Sequence, residues 1–428
     1  MLRHKGFLTA PALLMAAAAF STGPAFAARG DGLPYVTVTL DGFERAAIHQ
    51  RAVALMRTET VYDDEGNWVS NDTDVYRLDD LQVSRLTTDG NEEAAKLAFS
   101  LKSSSRYVGW AAFTPTGVDI MAYDLKRKRV VNVSNTPVGE SPFFDLEDNR
   151  FAWTVVSDEL PVEYDFVVSN GRKGKTTNEA ANDAYYLIGQ DPKTSAGNAA
   201  FAAFGQDSED GSTDEEVFFW DGRRLRQVTD DPPIGATGSG YDDGSALVSG
   251  NQVVFVTTHP VAETEPYQLR VYDGKKKVIR TVLSGGTTIA GDFVLNEDFC
   301  FPIDLSGDLL IWNGSIVGSG PAFLLTNIRT GETTSLDDLT GGSVSAAATA
   351  DGYVGMFSTA PSGETRVMVY RPATGSLTTA FTHPLGFASS GLLSISGPNV
   401  AYNYFVGDTP KVAVHYRSDE YAKEERRS

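Results

Sequence analysis

Short apolar runs alternate with polar turns along almost the whole chain, and the runs come in pairs. Residues 53–58 precede 74–78, 107–113 precede 118–123, 151–156 precede 164–168, and 200–204 precede 216–220. The pairing continues as 252–257 with 267–272, 309–313 with 322–327, 353–358 with 366–370, and 400–406 with 412–416. Such runs bounded by Gly, Asp, Asn and Pro predict β-hairpins, and the pattern predicts eight of them. Further short runs at 82–87, 130–134, 225–229 and 278–283 supply outer strands, and a helical period is weak throughout.

The second run of each pair ends at Tyr76, Tyr123, Ser169, Trp220, Tyr272, Asn327, Tyr370 and Tyr416, at intervals of 43 to 55 residues. That period is close to the length of a four-stranded propeller blade. The fold class is therefore expected to be all-β, an eight-bladed β-propeller of four-stranded antiparallel blades. Seven blades is the alternative, if the weakly patterned stretch 178–199 is an insertion. After Tyr416 only the polar tail 417–428 remains, so the last pair lacks an outer strand. At the other end, the alternating Tyr35-Val36-Thr37-Val38-Thr39-Leu40 is one strand more than the first blade needs. This N-terminal strand is expected to complete the last blade, which closes the ring and removes exposed sheet edges.

Ahead of that strand, Arg3, His4 and Lys5 precede an apolar stretch, and Ala25-Phe26-Ala27 precedes Ala28. A basic start, a short apolar middle and a small-x-small site form a secretory signal peptide over residues 1–27. The propeller domain then spans 28–416, followed by the 417–428 tail. With the signal removed no later run is long enough for a membrane span. The expected localisation is periplasmic or secreted. Cys300 is the single cysteine, so no internal disulfide can form, and it is expected to be a small buried hydrophobe. Loss of Arg3 and Lys5 moves the formal charge from −20 to −22, which argues against nucleic-acid partners, since those need phosphate neutralisation.

Tyr123-Asp124, Trp220-Asp221 and Tyr272-Asp273 each end a strand before a turn and a basic run, and Arg85-Leu86-Thr87 and Gln227-Val228-Thr229 close blades. These elements, with Asp351-Gly352 feeding a second strand, resemble TolB-like propeller repeats. The resemblance covers most of the chain and implies a propeller architecture. Residues 28–40 leave no room for the α/β domain that precedes the propeller in TolB, and no Gly-x-Ser-x-Gly elbow of a propeller-linked hydrolase occurs.

In a four-stranded meander the one-to-two and three-to-four turns share a side. The aromatic-Asp turns are all of the second kind, so Lys126 to Arg129, Arg172 to Lys175, Arg223 to Arg226 and Lys275 to Lys277 are expected to form a basic rim. The other side carries long acidic loops, with Asp207, Asp210, Asp214, Asp230, Asp231, Asp242 and Asp243 as candidate binding residues. Loops longer than a hairpin needs point to function. His259, with Glu263 nearby, and His383 each occur in Thr-His-Pro on turns assigned to that side, and they are the catalytic candidates. No cofactor motif is evident. A divalent metal such as calcium has its best candidates in Asp72 and Asp74, alternating carboxylates without a complete ligand set. The expected function is a non-catalytic scaffold that binds a basic protein segment or another cell-envelope component through its acidic loop face. The alternative is a propeller enzyme acting on polysaccharide, a lyase or hydrolase.

Overall fold

The computed structural model describes residues 26–29, 35–88, 95–97, 100–115, 117–134, 144–147, 149–156, 164–171, 176–180, 185–186, 192–206, 213–230, 242–258, 268–284, 293–294, 301–316, 320–385, 387 and 389–418. Eight antiparallel sheets follow one another along the chain, each with four strands in meander order or with its innermost strand in two pieces. Blade 1 consists of Arg45–His49, Ala52–Tyr62, Trp68–Asp79 and Gln82–Arg85. The stretch 178–199 is not an insertion: Tyr185–Tyr186 and Lys193–Ser195 are the innermost pieces of blade 4. Among the described residues the strands are interrupted by a one-turn helix, Leu336–Thr340, and a 3-10 turn, Pro372–Thr374.

The ring closes as the N-terminal alternation predicts. Blade 8 contributes Ser389–Ser396, Asn399–Val406 and Thr409–Arg417, and the strand Tyr35–Asp41 supplies its outer edge. Seven residue pairs hold this edge, from Tyr35 opposite Arg417 to Asp41 opposite Lys411. The Lys411 ammonium also meets the Asp41 carboxylate at 2.8 Å. Phe26–Arg29 adds a fifth strand outside it. The expected signal cleavage after Ala27 falls within that fifth strand, which the four-stranded blade does not require.

The core consists of eight apolar clusters, one at each junction between blades. Ala54 and Met56 of blade 1 meet Val108 and Trp110 of blade 2, and Phe166 and Val168 of blade 3 meet Phe201 of blade 4. The eighth cluster joins the closing blade to the first, with Val38, Val412 and Val414 against Val53, Leu55 and Leu78. Burying each such side chain stabilises by roughly 1.5–3 kcal/mol. Because neighbours pack face to face, a blade can do without its Cβ where rings cross: at Gly109 an added methyl would come within 3.1 Å of Phe144 and Phe151.

The repeated aromatic-Asp turn has a backbone explanation. Asp124 Oδ1 accepts from the Lys126 and Arg127 amides, Asp221 Oδ1 from Arg223 and Arg224, and Asp273 Oδ1 from Lys275 and Lys276, all between 2.9 and 3.1 Å. Asn327 does the same for Arg329 and Thr330 in blade 6. A side-chain oxygen thus satisfies amides that the turn takes out of the ladder. The blade-closing hydroxyl has a matching role: Thr87, Ser134 and Thr229 accept from the amides of Val75, Ile120 and Val217 on the third strand.

Asp124 differs from its equivalents in being 1% exposed, and it receives the Arg106 guanidinium at 3.1 Å as Asp221 receives that of Arg226 at 2.8 Å. Burial raises its pKa, yet the Arg106 bond and the turn amides outweigh that and hold it below the ordinary carboxylate range. The contribution is therefore present above the ordinary carboxyl pKa and is lost as pH falls through the lowered one. Asp124→Ala is expected to cost about 3 kcal/mol, because it strands Arg106 as well as the turn, whereas Asp273→Ala, at an exposed turn, costs about 1 kcal/mol. Urea unfolding at neutral pH checks this, and equal losses would show that the buried pair adds nothing.

Candidate functional site

Eight inner strands end around a central channel, on the side shared by the one-to-two hairpins and the aromatic-Asp turns. There they enclose a cavity of about 710 Å³ to which every blade contributes. Ladder register identifies equivalent positions around it. At one level the blades provide Ala47, Lys102, Asp145, Lys193, Leu247, Asp304, Ala348 and Ser394. Four of the eight are charged. Three of those come from the adjacent blades 2, 3 and 4, while Asp304 comes from blade 6, across the ring from Lys102.

Each charge is positioned by its neighbours. Lys102 pairs with Asp145 at 3.5 Å, and the Asp145 side chain is 16% exposed. Asp145 Oδ2 also accepts from the Thr194 amide at 2.8 Å and the Thr194 hydroxyl at 3.1 Å. Burial pushes the Asp145 carboxyl up, but Lys102, Lys193 and the Thr194 bonds together bring it below the ordinary range. Asp304 repeats the geometry three blades later: Oδ2 accepts from the Thr349 amide at 2.7 Å and Oδ1 from its neighbour Leu305 at 3.0 Å. Here burial prevails over those amides and over the pull of Lys193 and Lys102, so the carboxyl is raised. Ser394 completes the family of contacts by accepting from the Ile48 amide across the closing junction.

One step nearer the hairpins a second set of bonds ties blade to blade. Ser195, Ser249, Ser306 and Ser396 accept from the amides of Gly250, Gly307, Asp351 and Gln50, at 2.7 to 3.1 Å. Each of those amides belongs to the first turn residue of the next blade, and each of the four has positive φ, between 52° and 61°. The left-handed turn aims the amide at the serine, and glycine fills the position in two of the four cases. Channel geometry is thus fixed by hydrogen bonds that run around the ring rather than along a blade.

The catalytic and metal candidates from the sequence are placed as follows. His383 ends the strand Ser376–His383 but does not face a loop: it is 5% exposed, turned in between blades 7 and 8 because Phe387 stacks on its ring at 3.6 Å. His259 and Glu263 lie outside the described residues, as do Asp207, Asp210, Asp231, Cys300 and the basic residues 172–175. Asp214, Asp242 and Asp243 lie on strands, and Asp230 is exposed beyond the outer strand of blade 4. Asp74 is buried, bonded to Thr87 and ion-paired with Arg85, while Asp72 accepts from Ser70. Among the described residues no group of three His, Cys, Asp or Glu side chains is placed to hold a metal.

His383 belongs to a chain of buried polar groups. The Tyr402 hydroxyl lies 2.5 Å from His383 Nε2 and 2.9 Å from His415 Nε2, and His415 Nδ1 meets the Thr37 hydroxyl at 2.8 Å. One hydroxyl can donate to one imidazole and accept from the other, so both rings fit in the neutral state. Phe381, Phe387 and Tyr404 surround them. Burial lowers His383 to about 4 and, with the neighbouring His383, lowers His415 to about 3. Unfolded histidine takes up its proton near 6.5, so folding stability is full above that value and falls as pH drops toward the lowered values. Between pH 6.5 and 5 the loss is expected to reach about 2 kcal/mol for each histidine. Urea midpoints over this range check it, and a flat profile would contradict a neutral pair.

Lys102, Asp145, Lys193 and Asp304 did not emerge from the sequence as site residues. Asp145-Leu146 and Asp304-Leu305 both sit in short apolar strands. A charge inside an innermost strand, read against the blade register, is the signal that would have found them.

No family model matches the chain, and a search of curated proteins returns no match. Solved structures do match. A prolyl endopeptidase is 10% identical over 85% of this chain and 54% of its own, with a TM-score of 0.50. The β-propeller domain of the trilobed protease from Pyrococcus furiosus is 12% identical, covering 71% of this chain and 87% of that domain, with a TM-score of 0.42. TolB from Acinetobacter baumannii is 13% identical, over 74% of this chain and 79% of its own, with a TM-score of 0.32. The chain spans about half the length of the prolyl endopeptidase. What it shares with the prolyl endopeptidase is the fold, and the chain is an eight-bladed β-propeller.

Proposed function

We propose that this propeller is exported to the periplasm and works as a non-catalytic binding module, with its ligand at the channel mouth. One observation carries the reading: charged groups from four blades converge on one cavity, and the two carboxylates among them accept amides from the next blade. Preorganised polar groups in a concave site are the mark of a ligand pocket. Asp145 accepts an ammonium, an amide and a hydroxyl, and Asp304 accepts two amides. Carboxylates so engaged are suited to fixing a ligand rather than to moving protons in a reaction. The acidic loops on the other side, represented by exposed Asp230, would meet a basic protein segment or another envelope component.

Recovery of the protein from its host without denaturation, followed by mass spectrometry, tests both ends. The expected result is a bound small molecule that is lost in Lys193→Met and Asp304→Asn and is recovered chemically unchanged. A protein partner is expected to be lost when Asp230 and Asp242 are changed to Lys. Conversion of the bound molecule over time would contradict the non-catalytic reading, and identical spectra for wild type and the channel variants would remove the ligand from the channel.

A further inference from the structure

The charges of the channel ring are unevenly distributed. Blades 2, 3 and 4 carry Lys102, Asp145 and Lys193, an excess of one positive charge. Blade 6, across the channel, carries Asp304 with no cation at its own level on blades 5, 7 or 8, where Leu247, Ala348 and Ser394 stand. The ring is neutral in sum and bipolar in arrangement. Lys102, Asp145, Lys193 and Asp304 all line one cavity of about 710 Å³, so one small molecule can reach both walls.

Two further features set what could bridge them. The Lys102 side chain is 39% exposed and so can reorient its ammonium toward a ligand while its stem stays packed. Asp304 is half-buried with its carboxylate against backbone amides, where an incoming cation would relieve the cost of its charge. Half-buried Ile303 and Leu305 line the same cavity and offer apolar contact, beside Leu146, Val248 and Ile395, which belong to the inter-blade cores. Glu147 is exposed at the outer lip and has an interaction of its own.

We infer that the channel mouth binds a zwitterion with an apolar side chain, its carboxylate directed to Lys102 and Lys193 and its ammonium to Asp304. A free amino acid and a short peptide with both termini unblocked share this chemistry. A simple anion would gain the lysines but leave Asp304 without a cation, and a simple cation would gain Asp304 but make no use of the two lysines. The inference rests on the channel mouth being the ligand site.

Calorimetric titration of the full protein with leucine and with Gly-Leu distinguishes the two sources, and N-acetylated and C-amidated forms of each test the need for both charges. Blocking either end is expected to weaken binding at least about tenfold on the wild-type protein, which requires no variant to fold. Lys193→Met and Asp304→Asn are expected to weaken the unblocked compounds to a similar degree, with circular dichroism confirming that each variant is folded. Blocked forms binding as tightly as unblocked ones would overturn the inference, as would the absence of binding by either probe up to about 10 mM. A non-zwitterionic molecule recovered from the host protein, and lost with Lys193 and Asp304, would overturn the inference while leaving the channel as the ligand site.

Discussion

Everything in the ring depends on one strand pairing, Tyr35–Asp41 against Thr409–Arg417. A propeller buries its core between blades, so each blade is stable only while both neighbours are present. Seven junctions join blades that follow directly in sequence. The eighth joins residues more than 340 positions apart, and it can form only after the whole chain has been laid down. The cluster of Val38, Val412 and Val414 with Val53, Leu55 and Leu78 supplies its apolar part. Its polar part is unusually dense: Ser394 and Ser396 bond the Ile48 and Gln50 amides, Asn399 and Asn403 reach the Gln50 and Glu44 carbonyls, and Tyr416 reaches that of Arg51. The chain Thr37–His415–Tyr402–His383 ties the same strand through blade 8 to blade 7.

The channel inherits its geometry from that closure. Once the ring is shut, the hairpin register fixes eight equivalent positions around the axis, and whatever side chains occupy them face a common space. At the level next to the hairpins, Ser195, Ser249, Ser306 and Ser396 bond to the next blade. At the level below four are charged, with Lys102, Asp145 and Lys193 on one wall and Asp304 on the other. A buried ion pair is a poor way to add stability, since desolvation offsets much of its attraction. Such a cluster is better understood as a recognition surface built on a scaffold whose stability lies elsewhere, in the eight junction cores.

The architecture was legible in the sequence because a blade is a local object. Alternation, hairpin spacing and the Tyr-Asp turns report on residues close in sequence, and Asp124, Asp221 and Asp273 act on amides only two or three positions away. Closure was legible as well, from one strand too many at the start and one too few at the end. The site was not, because it is made of single residues about 45 to 110 positions apart whose only common property is their place in the register. His383 illustrates the converse: a Thr-His-Pro looks like a strand exit at the surface, yet Phe387 and Tyr402 enclose the ring. Its environment is set by blade 8, which no local pattern reveals.

Native-state hydrogen exchange of the amides in Tyr35–Asp41 tests the closure most directly. If that strand is the outer edge of blade 8, its paired amides exchange with the same free energy of opening as those of Thr409–Arg417, close to the global value. If it exchanges through a separate, low-energy opening while Thr409–Arg417 stays protected, the ring does not depend on it, and the account of closure and channel given above is wrong.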